Sequence, residues 1–118
     1  MDVTKGETNM NEILIMLSML LCCHFLLDFA IQGDFVAKFK ARNVDGNHNT
    51  TWQWVLTAHA ASHTLPVIIL TQSLLLGGIM FLSHFIIDFL KCEQKLNFNQ
   101  DQTLHIIVIL LITGLNFI

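Results

Sequence analysis

An all-helical protein that crosses a membrane four times is the fold the sequence predicts, and three observations predict it. Hydrophobic residues make up 53% of the 118-residue chain and charged residues only 13%, too apolar for a soluble domain of this size. Four apolar runs alternate with polar links, each run near the length a helix needs to cross hydrocarbon. Every run also carries, in or beside it, two His or Asp residues four positions apart, a spacing that sets both side chains on one helical face.

The chain reads as one membrane domain, residues 1–118. The opening MDVTKGETNMNE is polar and mostly acidic, and no small-residue cleavage site follows the first apolar run, so that run is expected to stay rather than leave as a signal peptide. It covers 13–31, broken only by Ser18, His24 and Asp28. The link 32–53 is polar, with Asp45, Gly46 and Asn47 as turn formers, and its FVAKFK portion is expected to make a short interfacial helix. A second run spans about 54–70 and a third 73–90. Their turn is expected at Thr71-Gln72-Ser73, because a turn at Gly77-Gly78 would leave the third span only about a dozen residues. Those glycines then read as close packing or flexibility, and Pro66 falls inside the second helix, where it is expected to kink it. After the link 91–102 the last run, 103–118, is short for a span, so it either lies with little tilt or begins inside the link.

Charge sets the topology and excludes some functions. The net charge of -3 and six scattered basic residues offer no stripe to neutralise phosphates, so nucleic acid is not an expected partner. Lys38, Lys40, Arg42, Lys91 and Lys95 lie in the two links, which four crossings put on one side, against Lys5 on the other. By the positive-inside rule the links face the cytoplasm and both termini the far side. Cys22, Cys23 and Cys92 have no CxxC spacing and read as packing or lipid-facing residues.

The polar residues within the runs carry the functional expectation. The pairs are His24 and Asp28, His59 and His63, His84 and Asp88, and Asp101 and His105. In an up-and-down arrangement all eight fall within roughly 15 Å of the cytoplasmic face, given a rise of about 1.5 Å per residue. The segment His24-Phe25-Leu26-Leu27-Asp28-Phe29 is answered by His84-Phe85-Ile86-Ile87-Asp88-Phe89, which points to two parallel two-helix repeats around a pseudo-two-fold site. Ionisable groups at membrane depth are costly and are kept for ligands, protons or catalysis. Five His and three Asp form a mixed N/O set suited to one or two divalent transition ions, Zn, Mn, Fe or Ni, without selecting among them. An ion held there would activate water for attack on a lipid or lipid-linked phosphate or ester. Asp28, Asp88, Lys91 and Gln32 are the expected catalytic groups, with Lys38 or Lys40 beside Lys91 to neutralise an anionic head and Gln102 a weaker candidate beside Asp101.

Plainer readings stand beside these. A lone His in a membrane helix is more often an interhelical bonding partner, with such bonds averaging about 0.6 kcal/mol. Asp101 also reads as a helix cap with His105 merely buried. Lys38, Lys40 and Arg42 read as topogenic charges, His48 as solvated, and Trp52 and Trp54 as interface markers. A proton or metal-ion conductor is the first alternative, although the outer half of each run is nearly free of ionisable residues. The second is an interaction protein, a phage factor that blocks or remodels a host membrane protein, whose polar cluster is helix glue; separately, a second copy of the chain is a candidate partner to cover the site.

The order HFLLDFxxQ, a basic segment, HAASH, HFIIDFLK and DQxxH resembles an uncharacterised family of small integral membrane proteins of bacteria and their phages, from His24 to His105. That resemblance implies a four-helix fold in the bacterial inner membrane and weight on the eight paired residues with Gln32, Lys91 and Gln102. It implies no reaction. More distantly the pairs resemble those of membrane-bound metal-dependent hydrolases, to whose His-rich motif HAASHT is a loose fit.

Overall fold

A computed structural model describes residues 8–118, which are mostly helical, with one short hairpin. Lys5, the basic residue counted for the far side, lies outside the described residues. The first helix, α1 (Met10–Phe25), starts where Asn9 Oδ1 accepts from the Asn11 amide at 3.0 Å, with Glu12 in the first turn favoured by the helix dipole. It continues without a break into a π-helical turn, Leu26–Ala30, closed by the Ile31 amide on the Leu26 carbonyl at 2.9 Å. Gly33, at φ 72°, then turns the chain back into α2 (Gly33–Phe39), a backbone conformation that glycine adopts without steric cost.

The rest of the first link is ordered by local bonds. Strands β1 (Asn43–Val44) and β2 (Asn47–His48) pair antiparallel across Asp45 and Gly46, both at positive φ, the two-residue turn that matches strand twist. The Asn49 side chain donates to the carbonyls of Phe39 at 2.7 Å and Ala41 at 3.0 Å, tying the hairpin to the end of α2. Arg42 bonds Glu93 at the end of the fourth helix and lies over the Phe89 ring, which clamps the link onto the helix ends. That bond from the guanidinium holds the Glu93 carboxyl below the usual carboxylate range.

Helix α3 (Trp52–Thr71) runs on through Pro66. It stops at Gln72, which is left-handed at φ 54°, and Ser73 Oγ accepts from the Leu76 amide at 3.1 Å to start α4 (Leu74–Cys92). So short a turn makes the two helices neighbours. Their contact is closest at Gly77, where a Cβ would stand 2.4 Å from Ile68 Cγ1 and 2.9 Å from Cδ1, while at Gly78 it would meet nothing. Gly77→Ala is therefore expected to destabilise by about 1–3 kcal/mol through forced displacement of Ile68. Gly78→Ala is expected to be neutral or to stabilise by up to about 1 kcal/mol, because alanine favours the helix. Unfolding of both variants in detergent checks the pair; equal effects would contradict this packing.

The last helix, α5 (Phe98–Asn116), begins inside the second link. Asn97 and Gln100 form a reciprocal capping box, with bonds of 2.8 and 3.0 Å, so Asn97 and not Asp101 caps this helix. Among the described residues three helical segments are long and apolar enough to cross a membrane: Met10–Ala30, Trp52–Thr71 and Leu74–Cys92. The expected fourth crossing differs, because the first turns of α5 carry Asn99, Gln100, Asp101, Gln102 and His105 and its unbroken apolar stretch begins only at Ile106.

The four long helices touch in cyclic order, α1 on α3, α3 on α4, α4 on α5 and α5 on α1, with α2 against α3. Toward the α3–α4 turn the interior is apolar, built on Leu20, Val67, Leu76, Met80, Ile109 and Ile112. Toward the links it is polar. Nine apolar and nine polar residues are buried among those described, while Leu14, Ile15, Leu65, Ile69, Leu82, Leu110 and many others face outward. A soluble protein has the reverse arrangement, and an apolar exterior around a partly polar interior suits a lipid surrounding.

Candidate metal centre

Each of the four long helical segments delivers its His/Asp pair to one buried cluster. His84 and Asp101 have no exposed surface, Asp88 is 1% exposed, and His24, His59, His63 and His105 are also buried. The five imidazoles face one another, with His84 stacked between His63, at a ring-centroid distance of 3.7 Å, and His105, at 4.3 Å. His24 approaches both His63 and His105 from α1.

Two carboxylates organise the rings. Asp28 Oδ1 is 3.1 Å from His59 Nε2, 3.0 Å from His63 Nε2 and 3.8 Å from His84 Nε2. Asp88 Oδ2 lies 3.2 Å from His59 Nε2, and Oδ1 lies 3.2 Å from His105 Nε2. Asp101 Oδ1 is 3.3 Å from His105 Nε2. These distances do not all amount to hydrogen bonds. His63 Nε2 is close to Asp28 but misaligned, and it has no hydrogen-bond partner.

Both ring nitrogens of His84 are likewise without a partner in full burial, as is Asp101 Oδ1. His24 Nδ1 is unbonded too; leaving a buried polar group unbonded costs about 1–3 kcal/mol, so four such side chains close together need a reason. A cation supplies one. The ligand atoms of Asp28, His59, His63 and His84 lie within 4.8 Å of one another, and so do those of two overlapping groups, His84, Asp88 and His105, and Asp28, Asp101 and His105. Imidazole nitrogen and carboxylate oxygen bind a transition ion at about 2 Å, so these clusters are of the size that one or two ions need. The residues fit a metal ion. His24 stands outside the three groups; its Nε2 is 3.1 Å from Gln102 Oε1 and 3.4 Å from Asp28 Oδ2.

Around the rings lies a shell of amides and lysines. Gln102 donates to Asp28 Oδ2 at 3.1 Å and Asp101 Oδ2 at 3.0 Å, fixing two carboxylates at once. Gln32 donates weakly to the Asp28 carbonyl at 3.3 Å and accepts from Lys40 Nζ at 2.7 Å. Lys40 is buried, its Nζ 2.8 Å from Asp88 Oδ2. Lys91 is a third exposed, 3.6 Å from Asp101 Oδ2 and over the Phe98 ring. Lys38 instead points away and pairs with Asp45 at the surface. Between these groups a cavity of about 300 Å³ reaches Asp28 from the link end.

Lys40 and Gln102 are the residues whose importance the sequence understated. Lys40 reaches Asp88 only because Gly33 reverses the chain and α2 lies back on α3, which residue spacing does not encode. Gln102 had a readable signal, since it stands three residues before His105 on the flank of the same helical face.

An all-helical chain with three membrane-length helices and a buried His/Asp centre open at one end is the class these features define. Residues 16–117 match the family described as Protein of unknown function (DUF3307), and the chain belongs to that family. No curated protein and no solved structure matches it.

Proposed function

We propose that this is a four-helix protein of the bacterial inner membrane whose centre holds one or two divalent transition ions and hydrolyses a lipid or lipid-linked phosphate or ester. The observation that carries the reading is His84, wholly buried with neither ring nitrogen bonded, beside two carboxylates and four further imidazoles. A bound ion would polarise the ester and lower the pKa of water. The chain's own residues do the rest. Asp28 lines both the cavity and the cluster, so it is the group placed to orient the attacking water and accept its proton. Lys40 and Gln102 hold Asp88 and Asp28 in place, and Lys91 offsets charge that builds on the substrate oxygens. The water oxygen bonds to phosphorus or carbonyl carbon, the ester bond breaks, and the leaving alcohol takes up a proton.

The α3–α4 hairpin supports the proposed orientation. Both links lie at its open end whether or not α5 crosses, so their basic residues share a side, which the positive-inside rule makes cytoplasmic. A conducting role has less support, because the cluster ends against the apolar Leu20, Val67, Met80 and Ile109 rather than on a polar path to the far side.

Elemental analysis of detergent-purified protein, prepared without chelators, tests the metal reading. About one or two equivalents of a transition metal are expected, and loss of nearly all of it in a His59→Ala/His84→Ala variant that still elutes as a folded species. Metal-free wild type, grown with metal in the medium, would overturn it.

A further inference from the structure

The cavity at the link end is built for one kind of guest. It is lined by two cationic residues, Lys40 and Lys91, by the amides Gln32 and Gln102, by Asp28 at its floor, and by Phe29 and Phe98 at its rim. Lys40 uses two of its three N–H donors on Asp88 and Gln32, which leaves one free. Lys91 is held loosely, at 3.6 Å from Asp101, and is a third exposed. Lysine ammoniums are point charges that bind phosphate oxygens without a fixed two-pronged geometry. The one arginine, Arg42, is taken by Glu93. The rim is apolar and outward-facing: the Phe29 and Phe98 rings meet edge to face at 6.0 Å, each about half exposed, at the ends of their helical segments where lipid heads lie.

We propose that this cavity seats the phosphoester head of an anionic lipid, which enters sideways past Phe29 and Phe98 and sets its phosphoryl oxygens on Lys91 and the free donor of Lys40. The ester end then faces Asp28. Its hydrolysis there rests on the metal reading above, but the binding does not need the ion.

Native mass spectrometry of the detergent-solubilised protein with equal phosphatidic acid and phosphatidylcholine reads the preference directly. Phosphatidic acid is expected to dominate. Lys91→Gln is expected to weaken its binding about tenfold, the loss of one charge-assisted bond, and Lys91→Arg to restore most of it. Metal content measured on the same samples should not change in either variant. Displacement by glycerol 3-phosphate would show that the head alone suffices, and failure to displace would show that the acyl chains are held as well; both accord with a phosphoester seat. Equal occupancy by the two lipids, or unchanged binding in Lys91→Gln, overturns the proposal while the metal result stands. Absent metal with an intact preference would remove the hydrolase and leave the seat.

Discussion

Asp88→Ala is expected to cost about 3–5 kcal/mol of stability, the usual penalty for removing one member of a buried ion pair. Asp88 accepts from Lys40 at 2.8 Å and stands 3.2 Å from both His59 and His105, so alanine there leaves a buried ammonium with Gln32 as its one remaining partner and deprives His105 of its hydrogen-bond acceptor, while His59 keeps Asp28. A Lys40→Met/Asp88→Leu double variant is expected to recover most of the loss, since apolar groups of similar volume often replace a buried pair without cost. Unfolding of wild type, Lys40→Met, Asp88→Leu and the double variant gives the coupling energy, with Asp88→Ala measured beside them. A double variant no more stable than Asp88→Ala would mean that the charge on Lys40 is satisfied by something other than Asp88.

His84→Phe separates a metal ligand from helix glue by the sign of its effect. Phenylalanine keeps a flat ring between His63 and His105 and removes two buried nitrogens that have no partner. The metal-free protein is therefore expected to gain about 1–3 kcal/mol, the desolvation penalty of an unbonded polar group. The metal-loaded comparison should run the other way, because an ion held as proposed would stabilise wild type and not the variant. Thermal unfolding with and without a chelator checks both. A loss of stability in the metal-free state with no change in metal content would make His84 a core residue.

Much of this was legible in the sequence, and the rest failed for identifiable reasons. Long apolar runs interrupted by polar links specify helices almost regardless of context, which is why the all-helical class could be read. The four-residue spacing of the His and Asp pairs specified one face per helix, and the short polar gap at Gln72-Ser73 left those faces little choice but to meet. What spacing cannot express is backbone irregularity. The π-helical turn that holds Asp28 and the left-handed Gly33 that brings Lys40 home are local departures from the period on which such reading rests. The sequence leaves the start of α5 open between the apolar run and the link for another reason. Hydrophobicity locates where a helix becomes greasy, whereas Asn97 and Gln100 locate where it begins, and a capping signature outweighs an apolar boundary.

The position of the cluster at the end of the helices bears on how such a protein is made. Asp28 and Asp88 lie within a turn or two of the links, so in the proposed membrane orientation a nascent α1 or an α3–α4 hairpin would rest in the bilayer with these carboxylates still wetted from the cytoplasmic side. The bonds that seal them come from Gln102 and His105, on α5, which is made after the other four helices described. In the orientation proposed above, closure therefore waits for α5, and until then the half-built centre would stand open to the cytosol and its supply of ions.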